Sequence, residues 1–169
     1  GGTERVWRLP DPAPTADPEA ALAAVDGAVS AALGDLAAST RSGGDDESSD
    51  GNLAVAFSGG VDSGLVAAAV PEAPCYVAGF EGSHDIAAAR EAASAMDRDL
   101  RVVEVTHDDL TRAVRAVAAA TGRRNPMDAS IAVPLFMTAE AAAADGFDRL
   151  AVGLGADELF GGYSKVVDP

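Results

Sequence analysis

Two short segments of this sequence hold residue types that can do chemistry on an anion. Ser58-Gly59-Gly60-Val61-Asp62-Ser63 follows an apolar run, Leu53 to Phe57, and opens an alanine-rich stretch. A strand, a glycine turn and the first turn of a helix leave unpaired backbone N–H groups pointing outward, which is how phosphate oxygens are bound. Gly59 and Gly60 let the backbone approach a phosphate closely and take positive φ. Ser58 and Ser63 add hydroxyl donors. Asp62 is out of place in an anion cradle unless a cation is present, so it is a candidate Mg2+ ligand. No lysine lies here, so the segment is not the Gly-Lys-Ser/Thr type of phosphate loop. The second segment, Gly155-Ala156-Asp157-Glu158-Leu159-Phe160-Gly161-Gly162-Tyr163, follows another apolar run, Leu150 to Leu154. Asp157 can share a metal with Asp62 across neighbouring strand ends, and Glu158 is assigned to capping or positioning the turn.

The elements that must hold these segments are legible from pattern. Residues 1–17 contain three prolines and read as an extended arm. Asp17-Pro18-Glu19 is a helix start, and that helix runs to about Ala38. Residues 41–52, rich in Gly, Ser and Asp, read as a mobile, acidic surface loop, in which Asp45, Asp46 and Glu47 are solvated. Short apolar runs then alternate with helices: strands at Leu53–Phe57, Cys75–Phe80, Leu100–Val105 and Leu150–Leu154, and helices at 62–70, 85–97, 108–121 and 130–144, with a polar link from Gly122 to Asp128. This alternation predicts one domain, a doubly wound parallel α/β sheet covered on both faces, three layers in all. Its ligand crevice belongs at the carboxyl ends of the strands, where both segments fall.

Composition narrows the partners. The 169 residues carry 27 acids against 12 bases, a net charge of −15, and Lys165 is the one lysine. A face that binds a polyanion must be basic, so nucleic acid and an anionic membrane surface are not expected partners. Scarce lysine and abundant carboxylate point to a halophilic protein of a salt-rich cytoplasm, where self-repulsion is screened. Cys75, the single cysteine, sits in an apolar segment and reads as core, so no intrachain disulfide or cysteine zinc site is expected. No secretory segment opens the sequence and no apolar run reads as membrane-spanning, which makes the cytoplasm the expected location. His84 and His107 flank helix starts and read as exposed polar residues, Arg123-Arg124 as a solvated pair, and Trp7 as packing the arm onto the domain.

Ser58 to Ser63 resembles the pyrophosphate loop (PP-loop) of the N-type ATP pyrophosphatases, the adenine nucleotide alpha hydrolase-like fold. That superfamily includes asparagine, GMP, NAD and argininosuccinate synthetases and tRNA thiolation enzymes. Ala156 to Tyr163 resembles the second signature of the asparagine synthetase C-terminal domain and of its β-lactam-forming relatives. Tyr76 to Phe80 resembles the family strand whose backbone and valine contact adenine, Asp85 and the helix after it resemble the next segment, and Ser130 to Leu135 and Val6 to Pro10 also match. The resemblance covers essentially the whole sequence. It implies ATP and Mg2+ as cofactors, with Phe57, Ser58, Gly59, Gly60, Val61, Asp62, Ser63, Val77, Gly79, Gly153 and Gly155 binding nucleotide. Asp62 and Asp157 would hold the metal on pyrophosphate and serve catalysis.

The implied activity is adenylation of a small carboxylate, aspartate in the family, with release of pyrophosphate and formation of an amide. The glutaminase domain of the family has no counterpart here, so nitrogen is expected from ammonia or a separate amidotransferase subunit. The helical region that follows Gly-Gly-Tyr in the family, with its catalytic lysine, is also without a counterpart, and Lys165 is no positional match; a C-terminal partner subunit is the expected alternative source. Where family synthetases carry a glutamate, two residues before the alanine of Ala-Asp-Glu, this sequence has Leu154. A leucine can neither take a proton nor orient water. A nucleotide-binding or regulatory module without amide synthesis is therefore the competing reading. A tRNA thiolation enzyme is disfavoured by the acidic composition and the second signature.

Overall fold

The structure is a computed structural model and describes residues 16–40 and 52–160. Its elements are α1 (Pro18–Ser39), β1 (Leu53–Ala56), α2 (Val61–Ala69), β2 (Cys75–Gly79), α3 (His84–Ala95), β3 (Leu100–Glu104), α4 (His107–Thr121), α5 (Pro126–Ala144), β4 (Arg149–Val152) and α6 (Ala156–Phe160). Readings made for Trp7, Asp45, Asp46, Glu47, Gly161 to Tyr163, Lys165 and the Glu158 side chain lie outside the described residues. The chain divides into two compact units, residues 1–32 and 33–169. In the first, the Asp17 carboxylate accepts from the backbone N–H groups of Glu19 and Ala20, at 3.0 and 3.4 Å, and Pro18 opens α1. This is the helix start read from the sequence.

The second unit is built on a four-stranded, wholly parallel sheet in the order β3-β2-β1-β4. Alternate residues of each strand point to opposite faces. Leu53, Val55 and Phe57 join Cys75 and Val77 on one face, against Ala67, Ile86, Ala89 and Ala93 of α2 and α3. Ala54 and Tyr76 face the other way, against Ala142 of α5. Both faces are covered, which explains why the strands read as unbroken apolar runs. The predicted three-layer, doubly wound α/β architecture is the observed one. Cys75 is fully buried, as read, and burial pushes its thiol up.

At the amino end of the sheet, Arg98 donates to the carbonyls of Val70 (2.8 Å), Pro71 (2.5 Å) and Ala73 (2.7 Å), pinning the connection between α2 and β2. Nearby, the Tyr76 hydroxyl donates to Asp145 and accepts from Arg101, both at 2.7 Å, while the Arg101 guanidinium lies over the Tyr76 and Phe147 rings.

The helix before β4 begins four residues earlier than its pattern suggested. Asn125 accepts from the Asp128 N–H at 2.8 Å and Pro126 takes the first helical position, so half of the polar link is a helix start. Among the described residues, two helices, Pro18–Ser39 and Pro126–Ala144, are long and apolar enough by length and composition to cross a membrane. This differs from the expectation that no apolar run is membrane-spanning. In α5 the apolar residues have another use, since Val133, Met137 and Ala142 are buried within the unit.

Candidate functional site

From β1 the chain steps to β2 and β3 on one side, then returns to place β4 on the other side of β1. The strand order therefore reverses between β1 and β4, and the crevice at their carboxyl ends is the switch point where α/β sheets bind ligands. Leu53 to Ala56 pair in parallel with Arg149 to Val152, so the segments that follow these two strands leave the sheet side by side.

After β1 the backbone turns at Gly59, with φ 81°. A Cβ there would lie 2.7 Å from the Ala88 carbonyl oxygen, so no larger residue fits between the loop and α3. Gly60 differs from expectation. It caps α2 with φ −77°, a conformation open to any residue. No side chain caps this helix, which leaves its first-turn N–H groups for a ligand. The two serines hold the loop shut on itself: their hydroxyls lie 3.1 Å apart, and Ser63 Oγ donates to the Gly60 carbonyl at 3.1 Å. Val61 is 78 % exposed, and Asp62, in the first turn of α2, is half-buried.

After β4, Gly153 presses on the start of α2. A Cβ on Gly153 would stand 2.6 Å from Ser63 N and 2.7 Å from the Asp62 carbonyl carbon. Gly155 follows at φ 106°, and Asp157 is exposed on α6.

Between the two segments lies a cleft of about 180 Å³. It is lined by Phe57, Ser58, Ser63, Val77, Gly153 and Leu154, and by Asp85, Pro134 and Thr138 from α3 and α5. A second lobe of about 160 Å³, lined by Gly79, Phe80, Val105 and Met137 among others, adjoins it through Ala78, Asp85 and Pro134. Gly59, Gly60, Val61, Asp62, Gly155 and Asp157 flank the first cleft through the loop and helix ends without lining it. Larger hollows exist between α4 and α5 (about 590 Å³) and at the amino ends of β1 and β4 (about 300 Å³), but neither touches the loop.

The α5 wall was not assigned from sequence. Pro134 lies inside that continuous helix, and Thr138 turns its hydroxyl back to the Pro134 carbonyl at 2.8 Å, so a buried polar side chain beside the cleft is satisfied locally. The usable signal was positional: a helix that precedes a strand at the switch point must start near the crevice. His84 and His107 are both exposed, as read, and the His107 ring also packs on Phe80 with centroids 5.2 Å apart. Arg123 pairs with Asp128 at 3.1 Å. Among the described residues no group of three or more His, Cys, Asp or Glu side chains gathers to hold a metal.

A doubly wound sheet with a glycine-rich loop and a second signature at one switch point defines a class, and comparison with known proteins gives the family. The sequence model for asparagine synthase matches residues 46–169, and this chain belongs to that family. It is 33 % identical over 116 residues to the curated "Putative asparagine synthetase (glutamine-hydrolyzing) 1" of Methanocaldococcus jannaschii, a match covering 67 % of this chain and 21 % of that protein. The chain thus spans about a fifth of the length of that relative. Among solved structures, an NH3-dependent NAD synthetase from Campylobacter jejuni superposes with TM-score 0.47 and 13 % identity, over 82 % of this chain and 60 % of the other. A "predicted subunit of tRNA methyltransferase" from Methanocaldococcus jannaschii gives TM-score 0.43 and 23 % identity, over 62 % and 53 %.

Proposed function

We propose that this domain binds Mg-ATP at the switch point and activates a carboxylate, aspartate by family resemblance, for amide formation. The observation that supports this reading is the meeting, at one cleft, of the glycine loop after β1 and the residues that lead from β4 into the second segment, with Gly153 set against the Asp62–Ser63 backbone.

On this reading Ser58 and Ser63 exchange their mutual hydrogen bond for phosphate oxygens, joined by the uncapped N–H groups of α2. A substrate carboxylate oxygen attacks the α-phosphorus, and the bond from that phosphorus to the bridging oxygen of pyrophosphate breaks. Ammonia then attacks the acyl carbon, AMP leaves, and the excess proton passes to solvent. Two carboxylates from neighbouring strand ends fit the needs of Mg2+, which takes one or two protein carboxylates and completes its shell with phosphate and water. A bound Mg2+ would neutralise charge on the departing pyrophosphate. Nitrogen would come from free ammonia or from a separate amidotransferase chain.

A second reading rests on one residue. Leu154 lines the cleft where family synthetases place a glutamate, and favours a nucleotide-binding module that makes no amide. Incubation with Mg-ATP in molar KCl, with and without aspartate and ammonia, separates the two. Aspartate-dependent AMP and pyrophosphate with asparagine formed establishes the first. ATP bound and never split establishes the second.

A further inference from the structure

Asp85 stands between the two lobes of the cleft. The lobes share three residues, Ala78, Asp85 and Pro134, and Asp85 is the only one with a polar side chain. On one side lie the serines of the phosphate loop. On the other is a lobe walled by Phe80, Val105, Leu110 and Met137, apolar enough to take a flat base. Asp85 is exposed in the first turn of α3, where Ser83 supplies the cap, and no hydrogen bond or ion pair of Asp85 is seen among the described residues.

A nucleotide has its own fixed order: phosphates, ribose, base. Laid along the cleft with phosphates at Ser58 and Ser63 and the base in the apolar lobe, it brings the ribose to Asp85. An ionised carboxylate only accepts hydrogen bonds, and the vicinal diol of a ribose offers two donors. We propose that Asp85 is the ribose-binding residue of this site and selects nucleotides that carry both hydroxyls. The inference rests on the nucleotide-binding reading above and adds to it the part of the ligand that is read and the side chain that reads it.

The test is calorimetric titration of the wild-type chain, Asp85→Ala and Asp85→Asn with Mg-ATP, Mg-2′-deoxyATP and Mg-3′-deoxyATP in molar KCl. In the wild type, loss of a contacted hydroxyl weakens binding about tenfold, the usual size for a hydrogen bond to a charged group. In Asp85→Ala, ATP weakens to the level of that analogue and the analogue itself is unchanged. Asp85→Asn keeps the side-chain volume and controls for folding, and thermal melts of all three proteins establish that they are folded. A structural role would weaken all three nucleotides alike and overturn the proposal. So would wild-type protein that binds ATP and both analogues equally. Wild-type protein that binds none of the three overturns the nucleotide reading itself, an outcome distinct from the others.

Discussion

Gly153 lies against Asp62: a Cβ on the glycine would be 2.9 Å from the aspartate carbonyl oxygen, although the glycine follows β4 and the aspartate follows β1. The obstacle is backbone, which cannot swing aside as a side chain can. Gly153→Ala must push the end of β4 away from α2, and overpacking of this kind costs about 1–3 kcal/mol. Gly60→Ala is the control, since its φ of −77° is ordinary and its Cβ would meet only Ser58 Oγ, at 3.4 Å. Urea unfolding is expected to show a large loss for the first and little for the second. Equal losses would refute the contact.

Removing either proposed metal ligand leaves the core untouched, because Asp62 is only half-buried and Asp157 is exposed. Asp62→Ala and Asp157→Ala should each weaken Mg-ATP binding by more than about tenfold, or ~1.4 kcal/mol, with unchanged melting temperature. Wild-type affinity in both variants removes the metal assignment.

Leu154 is 64 % exposed, so a carboxylate there stays hydrated. Leu154→Glu is expected to fold normally and to raise aspartate-dependent AMP release above the wild-type rate. No gain, in a variant that still binds ATP, would show that something other than this residue limits the chemistry.

The Tyr76–Asp145–Arg101 cluster makes stability depend on pH in two directions. The hydrogen bond from Tyr76, then that from Arg101, hold the Asp145 carboxyl below its ordinary value. A carboxylate with a lowered pKa in the fold contributes stability at neutral pH, and loses it as pH falls through the ordinary carboxylate range and below. Burial, then the bond to Asp145, push the Tyr76 phenol up to about 12. The unfolded chain then releases that proton first, so stability declines as pH rises from about 10. Denaturation midpoints across pH should fall at both ends, and Tyr76→Phe should lessen the alkaline decline, leaving the part that comes from the buried Cys75 thiol.

Salt tests the meaning of the −15 charge. The described ion pairs, such as Arg112–Glu140 at 2.6 Å and Arg90–Glu104 at 4.0 Å, are surface pairs, each contributing about 0–1 kcal/mol. Screening costs little there and relieves self-repulsion across the whole surface. The melting temperature is expected to climb from dilute buffer to molar KCl. A flat profile would discard the halophilic reading.

Both signature segments were legible in the sequence because their chemistry sits in contiguous residues placed after apolar runs. The strands were legible because burial on both faces leaves them no polar alternation. What escaped depends on tertiary neighbours. Gly59 and Gly60 look alike in sequence, yet only Gly59 takes positive φ and meets α3. The start of α5 was hidden because Asn125, Pro126 and Asp128 read as a polar link when they are cap and first turn. Asp85 could be matched to a family segment, but its position between two lobes follows only from how α3 and α5 meet the sheet.

The strand order has a kinetic consequence. β1 first meets β2, its neighbour in sequence, whereas β4 must return from the far end of the described chain to close on β1. Contacts that close long loops carry the largest entropic cost and tend to slow folding. The cleft exists only when this last closure is made, so nucleotide binding would act as a clasp on the edge strand. Amide exchange in β4 and the start of α2 should slow together when ATP is added, and more than exchange in β2 and β3.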